Sequence, residues 1–319
     1  MVSVAIFASE QPEYTIPIEN IRIRDPYIVS DRNTQTYYMY AQFANRNVDK
    51  RNGVEVYTSK DLKKWSEPRP VLVLPKEMDI VNVWAPEVHF YQGSWYMFVT
   101  LTFDEMVATP SPASPEIKSW PPMYRRGTWI FRADSPLGPF KMHSSDSVTP
   151  REWMALDGTL WIEDGKPYMI FCHEWVQVVD GTIDYIPLAN DLSKPSGKAV
   201  KMFAASSSPD VKEARGKVKI TDGPFLYRSP QHGDLYMIWS TRVKQTPYGV
   251  LLTRSESGKL AGPWTVSKLL FIEHGGHGMF FNTLDGKMMM AIHRPNTRGK
   301  ERLQLVELVD DGKTLKIKQ

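Results

Sequence analysis

The chain contains a hairpin pattern at residues 157–175, Asp157-Gly158-Thr159-Leu160-Trp161-Ile162-Glu163-Asp164-Gly165-Lys166-Pro167-Tyr168-Met169-Ile170-Phe171-Cys172-His173-Glu174-Trp175. An acidic residue opens an apolar run, the Asp164-Gly165 pair is typical of a tight turn, and a second aromatic-rich run returns. Because the two strands of a hairpin are antiparallel, we expect the carboxyl groups of Asp157 and Glu174 at the same end of it.

The same pattern occurs four more times along the chain. In each copy a polar residue leads into an aromatic or β-branched run, and a turn brings a second run back. A third strand follows in several copies, for example at residues 54–59, 128–133 and 250–255. The repeat length of about 55 to 70 residues is enough for four strands and their loops. The leading polar residues are Asp25, Glu87, Asp157, Asp222 and His277.

Five such units predict an all-β fold, a five-bladed β-propeller with four antiparallel strands per blade. Radial packing buries both faces of each sheet, which a pair of β-sandwiches, the alternative architecture, achieves less simply. We expect a single catalytic domain over residues 1–319, because no stretch resembles an interdomain linker. The predicted blades cover roughly residues 20–75, 80–148, 153–204, 218–271 and 274–319.

Two segments interrupt the repeat. Residues 104–126 form a long insertion rich in Pro and Ser, which predicts a surface loop that shapes a site or contacts a partner. Residues 206–219 are polar and are the passage in which a short helix is expected. Elsewhere no sustained apolar pattern of helical period occurs.

Composition excludes several classes of partner. The 39 basic and 36 acidic side chains give a net charge of +3 without a basic block, so nucleic acid and anionic membrane surfaces are not expected partners. No apolar run reaches the roughly 18 residues that span a membrane. The opening residues 1–7 are too short for a secretory signal, which indicates a cytoplasmic protein or one whose leader has been removed. The single cysteine, Cys172, lies in an apolar run and is expected to be a buried, inert thiol.

In a propeller the first strand of every blade lies innermost, and all five start from the same face. The five leading polar residues are therefore expected to ring the axis. Two carboxylates on opposite sides of a pocket are what glycoside hydrolysis requires, one as acid and one as base or nucleophile. The alternative is that these acids cap strands and bond neighbouring backbone N–H groups, and this is the role we expect for Glu87.

Five short motifs in order resemble the signatures of glycoside hydrolase family 43, and they extend from about residue 20 to residue 295. The resemblance implies a five-bladed propeller that hydrolyses plant-type arabinose- or xylose-containing poly- and oligosaccharides with inversion at the anomeric carbon. It also implies a secreted or periplasmic location, although a cytoplasmic one stays open. The motifs are Arg24-Asp25-Pro26, Trp84-Ala85-Pro86-Glu87, Leu156-Asp157-Gly158, Asp222-Gly223-Pro224 and Gly276-His277-Gly278.

Carried over to this chain, the resemblance makes Asp25 the general base and Asp157 the residue that tunes the pKa of the acid. The general acid departs from the family pattern, because Asp222 stands where a Glu is usual. A displacement of about 1 Å can cost on the order of a hundredfold in rate. Glu174, at the returning end of the blade-three hairpin, has a longer side chain that can replace the missing Glu. The alternative is that Glu174 pairs with Arg24, Arg294 or another cation at the rim. Both Glu174 and Asp222 are therefore candidates for the acid.

Several further residues are candidates for substrate contact. Trp84 and Trp175, with Trp153 and Trp239, lie near predicted strand ends, where they can stack on sugars or pack between blades. His277 and Arg294 are expected to bind substrate, with a rim salt bridge as the alternative for Arg294.

The resemblance also bears on metal binding. His277 matches a family His near the axis, where some members hold hydrated calcium, so a structural Ca²⁺ bound through water is an expectation. No cofactor is required.

Three other functions share some of these sequence features. A non-catalytic carbohydrate-binding propeller would keep the fold and the aromatic residues but not the acid and base. A related propeller phosphorylase would need a basic cluster, for which Arg24, Arg294 and Arg298 are too few and too scattered in the sequence. Sucrose- and fructan-active propellers share the Arg-Asp-Pro motif, but they place a nucleophile earlier in the chain, where this sequence has no such motif. The sequence does not indicate the oligomeric state.

Overall fold

The structure is a computed structural model that describes residues 12–43, 52–107, 120–214 and 217–318. Five antiparallel sheets follow one another along the chain. Blade one contains β1 (Ile16–Pro17), β2 (Tyr27–Asp31), β3 (Thr36–Gln42), β4 (Gly53–Ser59), β5 (Lys64–Trp65) and β6 (Arg69–Val73). Blade two contains β7 (Ile80–Tyr91), β8 (Ser94–Met106), β9 (Tyr124–Ala133) and β10 (Lys141–Met142).

The other three blades each have four strands in sequence order. Blade three contains β11 (Ala155–Glu163), β12 (Lys166–His173), β13 (Thr182–Pro187) and β14 (Val200–Ala204). Blade four contains β15 (Asp222–Arg228), β16 (Leu235–Thr241), β17 (Gly249–Arg254) and β18 (Lys268–Phe271). Blade five contains β19 (Gly276–Asn282), β20 (Met288–Arg294), β21 (Arg302–Asp310) and β22 (Leu315–Ile317).

The first strands of the five blades close into a ring. β2 contacts β7, β7 contacts β11, β11 contacts β15, β15 contacts β19, and β19 returns to β2. This closure confirms the five-bladed propeller with four antiparallel strands per blade. Blade one departs slightly from the four-stranded pattern of the other blades, because β5 and β6 both pair with β4 and the short β1 extends the sheet beyond β5.

The apolar core lies between neighbouring blades rather than along the axis. One buried cluster joins blades one, two and five, and others join blades two and three, three and four, and four and five. Second strands are buried on both faces, as β12 shows, where Met169 through Cys172 have no exposed surface. Cys172 is therefore the buried thiol that the sequence predicts, and burial raises the pKa of that thiol well above its ordinary value.

Helical structure is scarce in the described residues. The α-helix α1 covers Trp175–Val178, and the 3₁₀ turns cover Ile18–Asn20, Lys76–Met78 and Ala205–Ser207. The helix expected within residues 206–219 does not form among its described residues, which contain only the end of the last 3₁₀ turn. None of the helices in the described ranges is long and apolar enough to cross a membrane.

The insertion at residues 104–126 begins as an extension of β8 and ends as the start of β9. Its middle part lies outside the described residues. Where the description resumes, the indole Nε1 of Trp120 donates a hydrogen bond to the carbonyl of Val176 at 2.7 Å. The ring of Trp120 also meets that of Trp175 edge to face, with centroids 5.9 Å apart. This end of the insertion therefore packs on α1.

Candidate active site

A pocket of about 1060 Å³ opens where the five innermost strands begin. It brings together six of the candidate site residues of the sequence analysis, from four different blades. His277 lies beneath the pocket, buried, and is not among the described residues that line it. The six are Asp25, Trp84, Asp157, Glu174, Trp175 and Asp222, and Arg24 and Arg298 line the pocket as well.

A left-handed residue stands at the start of every innermost strand. The φ angles are 52° at Asp25, 45° at Ala85, 59° at Asp157, 49° at Gly223 and 52° at His277. In blades two to five this residue lies within a shift of the strand register, a β-bulge. A bulge re-aims a side chain, and a left-handed non-glycine residue costs of the order of 1–3 kcal/mol, which a functional site commonly bears. The repeated bulge turns Asp25, Asp157 and His277 towards one point near the axis.

The pairing of the strands shows that Asp222 and Glu87 do not occupy the left-handed position that Asp25 and Asp157 occupy in their blades. In blade four the bulge position belongs to Gly223, and Asp222 precedes it in register with Ser240. In blade two the bulge position belongs to Ala85, and Glu87 follows it in register with Phe98. Asp222 nevertheless lines the pocket with Asp25 and Asp157 and lies 3.3 Å from Nδ1 of His277, whereas Glu87 is not among the described residues that line it.

Glu87 lies outside the pocket lining. Its carboxylate pairs with Nε2 of His89 at 3.1 Å, and Nδ1 of that ring lies 3.3 Å from the hydroxyl of Tyr27. Tyr27 and His89 line a second cavity, whose lining residues are different from those of the pocket. Glu87 thus has a structural role, through a histidine instead of the expected backbone N–H groups.

Asp25 is a buried carboxylate surrounded by cations and imidazoles. Its Oδ1 lies 3.2 Å from Nδ1 of His277, 3.2 Å from Nδ1 of His293 and 3.7 Å from Nε of Arg24. Burial opposes ionisation, but His277, His293 and Arg24 outweigh it and lower the pKa of Asp25 to about 2. Asp25 is therefore ionised throughout the neutral range, as a general base must be.

Asp157 and Asp222 share the environment of His277. Nδ1 of His277 lies 3.3 Å from Asp222 and 4.0 Å from Asp157. Burial and the neighbouring Asp222 raise the pKa of Asp157 well above its ordinary value, although His277 opposes this. Despite burial, hydrogen bonds from His277, Asp157 and Tyr248 lower the pKa of Asp222. In this pair the proton resides on Asp157 and the negative charge on Asp222.

Backbone contacts fix these two carboxylates. The Gly223 N–H donates to Oδ2 of Asp157 at 3.0 Å, and the Asp157 N–H donates to Oγ1 of Thr100 at 2.9 Å. The hydroxyl of Tyr248 donates to Asp222. Blades two, three and four are thus connected through Asp157, directly beneath the pocket.

Glu174 lines the same pocket, at the N-cap position of α1. Its N–H donates to the carbonyl of Met154 at 2.8 Å, and its carboxylate pairs with the guanidinium of Arg126. Arg126 in turn donates to Oγ1 of Thr102 at 2.8 Å and lies 4.3 Å above the ring of Trp84. Burial raises the pKa of Glu174 in spite of Arg126, and the charge of Asp222 adds to that rise.

A metal at this point has a poor set of donors. One ligand atom each from Asp157, Asp222 and His277 lies within 4.8 Å of the others. Burial opposes protonation of His277, but Asp25, Asp157 and Asp222 raise its pKa to about 10, so the imidazolium itself neutralises the carboxylates. A protonated Nδ1 offers no lone pair, and hard Ca²⁺ prefers oxygen. These residues therefore do not fit a cation bound directly at His277, and the expected ion held through water stays a prediction.

The other predicted contact residues lie elsewhere. Arg294 is at the rim, where its guanidinium pairs with Glu273 at 3.0 Å, and it is not among the described residues that line the pocket. Trp239 is fully buried and donates to Ser267 at 3.0 Å, and Trp153 stacks on His173 with centroids 4.1 Å apart. The structure thus assigns Trp239 and Trp153 to packing, and Arg294 to the rim salt bridge.

Sequence reasoning missed three residues of the site. Tyr248 holds Asp222, Arg126 holds Glu174, and Arg242 lines the pocket beside them. None belongs to a recognisable motif, because each comes from a strand end or loop whose position depends on the fold. The only feature of the sequence that could have indicated them is a long polar side chain next to the end of a predicted strand.

The sequence matches the family model described as Glycosyl hydrolases family 43 over residues 14–313. An endo-arabinase from Bacteroides thetaiotaomicron is 34% identical, with a TM-score of 0.79, and the match covers 95% of this chain and 100% of that one. An endo-1,4-beta-xylanase from the same organism shares the fold, at 20% identity, with a TM-score of 0.69 and 97% of each chain covered.

Among curated proteins, alpha-L-arabinofuranosidase 43 from Humicola insolens is 24% identical over an alignment of 229 residues that covers 64% of this chain. The match covers 41% of that relative, so this chain spans about two fifths of the relative's length. The family model, in contrast, covers nearly the whole of the present sequence. The chain therefore belongs to glycosyl hydrolases family 43.

Proposed function

We propose that this chain hydrolyses glycosidic bonds in arabinose- or xylose-containing oligo- and polysaccharides, with inversion at the anomeric carbon. The observation that carries the proposal is that Asp25 and Glu174 line one pocket and have oppositely shifted pKa values. Family membership supports hydrolysis. The 34% identity to an endo-arabinase favours arabinose-containing chains as the first substrates to test.

Asp25 acts as the general base in this proposal. Its pKa of about 2 keeps it ionised, so it can accept a proton from a water molecule that attacks the anomeric carbon. The water oxygen forms the new bond to carbon as the bond to the leaving oxygen breaks. In an inverting enzyme the two carboxyl groups are about 6.5–9.5 Å apart, which leaves room for that water.

Glu174 acts as the general acid and gives its proton to the leaving oxygen. An acid must begin the reaction protonated, and the pKa of Glu174 is shifted in the direction that this requires, whereas the pKa of Asp222 is shifted in the opposite direction. Asp222 is also one methylene shorter than Glu and already accepts a hydrogen bond from Tyr248. Its negative charge instead favours the protonated form of Glu174.

Asp157 supports the acid indirectly. It accepts the Gly223 N–H and so orients the segment that carries Asp222, whose charge tunes Glu174. This is a modified form of the pKa-tuning role that the family pattern implies, because the tuning passes through a second carboxylate. Trp84 and Trp175 line the same pocket as Glu174 and are the aromatic surfaces on which we expect a sugar to stack.

A polymeric substrate implies a secreted or periplasmic protein, since intact polysaccharides do not enter the cytoplasm. A cytoplasmic location fits only short oligosaccharides that have been imported.

The test is hydrolysis of aryl α-L-arabinofuranoside, aryl β-D-xyloside and unmodified oligosaccharides by the wild type and by Asp25→Asn, Glu174→Gln and Asp222→Asn. NMR follows the anomer that is released first. We expect the inverted sugar, a loss of about 10²–10⁴-fold in Asp25→Asn, and a Glu174→Gln enzyme that fails on natural glycosides yet keeps activity on good aryl leaving groups. Circular dichroism of each variant controls for folding.

Three results contradict the proposal in different ways. If Asp222→Asn rather than Glu174→Gln shows dependence on the leaving group, Asp222 is the acid. If the wild type binds these sugars and cleaves none, the chain is a binding propeller. If cleavage requires phosphate and releases a sugar phosphate, the reaction is phosphorolysis.

A further inference from the structure

The pocket contains two arginines that the proposed mechanism does not use, Arg242 and Arg298. Arg22 and Arg24, which also line it, share the carboxylate of Glu301 at 3.2 Å and 3.4 Å, and Arg24 also lies 3.7 Å from Asp25. In the part of the chain that the structure describes, neither Arg242 nor Arg298 has a carboxylate within ion-pair distance. Arg242 and Arg298 therefore line the pocket without an acidic partner among the described residues.

Arg242 is held in a defined position. It directly follows β16, whose Ser240 is in register with Asp222, so it lies at the pocket end of the same sheet. Its carbonyl accepts a hydrogen bond from the N–H of Lys212 at 2.8 Å, and the next residue, Val243, is fully buried. The backbone on both sides of Arg242 is thus fixed, which limits the positions that its guanidinium can reach.

The guanidinium of Arg242 lacks the partners that a partly buried cation normally has. Its Nε is buried and has no hydrogen-bond partner in the described residues. Leaving a buried charged donor without an acceptor costs free energy, and a guanidinium is shaped to bind a carboxylate or phosphate with two hydrogen bonds. An acceptor brought by the ligand would satisfy this atom.

We propose that Arg242 is an anion-binding subsite for a substrate whose chain carries a uronic acid close to the sugar that is cleaved. The inference rests on the proposed function, and it narrows the substrate to an acidic pentose-containing oligosaccharide. Arg298, exposed on the same pocket, adds positive charge for the carboxylate. The alternative anion is phosphate, which would enter as a second reactant and not as part of the sugar chain.

The test compares each acidic oligosaccharide with the same molecule after reduction of its carboxyl group to an alcohol. The probes are xylo-oligosaccharides with one glucuronic acid and arabino-oligosaccharides with one galacturonic acid. We expect the wild type to show a kcat/KM at least about tenfold higher for the acidic form, as one charge-assisted hydrogen bond implies. Added salt should reduce this ratio. In Arg242→Gln the ratio should fall to about one, and Arg242→Lys should keep part of it.

Arg132→Gln is the matched control, because Arg132 is a partly exposed arginine outside the pocket lining, paired with Asp134 at 3.5 Å. It should keep the wild-type ratio. Binding is measured separately by calorimetry in Asp25→Asn, which holds the oligosaccharide without turning it over. A tenfold preference for the acidic form in this variant, lost when Arg242→Gln is added, supports the subsite even if the wild type hydrolyses nothing.

Two results overturn the inference. Equal kcat/KM and equal affinity for acidic and reduced oligosaccharides would show that Arg242 serves neutral sugars, whether or not hydrolysis itself is confirmed. A phosphate-dependent reaction that releases a sugar 1-phosphate, with the phosphate requirement weakened in Arg242→Gln, would show that the anion is phosphate. Either outcome is distinguishable from a failure of the glycosidase proposal, because hydrolysis and binding are read independently.

Discussion

Gly223 lies directly against the imidazole of His277, so that a Cβ atom added at Gly223 would stand 2.8 Å from both Cγ and Cδ2 of that ring. Gly223 occupies the bulge position of blade four, where blades one, three and five have Asp25, Asp157 and His277. Only a residue without a side chain leaves room for the His277 ring between the carboxylates. The glycine of Asp222-Gly223-Pro224 is therefore required for packing as well as for its left-handed backbone.

Gly223→Ala is predicted to displace His277 and to lower kcat by at least about a hundredfold, because a shift of about 1 Å in a catalytic group has that effect. Part of the loss of activity in any Gly→Ala variant at a left-handed position comes from the strained φ angle and not from a steric clash. Gly165→Ala is the matched control, since Gly165 has φ 75° and nothing within 4 Å of an added Cβ. Steady-state kinetics of the two variants separate the causes: similar losses of kcat in both would refute the steric explanation.

Arg126→Gln is predicted to move the alkaline limb of the pH–rate profile to higher pH. Activity requires protonated Glu174 and so declines as pH rises through its pKa. Arg126 favours the ionised form, and its removal leaves burial and Asp222 to raise that pKa further. Profiles of kcat/KM on an unactivated oligosaccharide measure the shift, with Arg126→Lys as the variant that retains the charge. An unchanged limb in Arg126→Gln would mean that Glu174 is not the acid.

The His277 imidazolium is predicted to make stability depend on alkaline pH. The pKa of His277 is about 10 in the folded protein, against 6.5 for an ordinary histidine. Because the folded value is the higher one, the stabilisation is complete below about pH 6.5 and is lost as pH rises through about 10. The free energy of unfolding in urea should therefore fall more steeply between pH 7 and pH 10 in the wild type than in His277→Gln. Parallel curves would show that His277 is neutral in the fold.

Trp239→Phe is predicted to destabilise the protein without removing substrate affinity. Trp84→Phe and Trp175→Phe, in contrast, are predicted to weaken substrate binding. Trp239 is fully buried between blades three and four, and its indole N–H bonds Ser267. The smaller ring leaves a void and an unpaired hydroxyl, which together cost about 1–3 kcal/mol. Urea unfolding measures the loss, and KM at a temperature where the variant is folded tests the site. A large rise in KM for Trp239→Phe would contradict a packing role.

The fold was predictable because its signal is repeated. Five hairpins with polar first residues specify five sheets, and each sheet is buried on both faces, as the fully buried run from Met169 to Cys172 shows. The convergence of Asp25 and Asp157 on one pocket was also predictable, since each carries a family motif at the start of an innermost strand. Sequence spacing alone, however, cannot locate a β-bulge to the residue, and a slip of one residue reverses the direction of a side chain.

This limit explains why the sequence could not place Glu87 and Asp222 relative to the bulges of their blades, on either side of which they lie. It does not explain Tyr248, Arg126 and Arg242. Their place in the site depends on how a loop or strand end from one blade reaches the next, which is a property of the assembled propeller. The role of Trp239 could not be assigned from the sequence for a related reason, because both sugar-binding and buried aromatic residues occur at strand ends.

The variant Asp222→Asn distinguishes two possible roles of Asp222, which either raises the pKa of Glu174 or donates the proton itself. Asp222 is ionised, since its pKa is lowered, and its charge raises the pKa of Glu174. Removal of that charge therefore lowers the pKa of Glu174, and the alkaline limb of the pH–rate profile should move to lower pH, opposite to the shift in Arg126→Gln. Near the acid end of the profile the activity should remain within about tenfold of the wild type, because the proton donor is still present. Measurement of kcat/KM against pH on an unactivated oligosaccharide decides the matter. If Asp222 were itself the donor, Asp222→Asn would instead abolish the alkaline limb and lose activity at every pH, and only substrates with good leaving groups would still react.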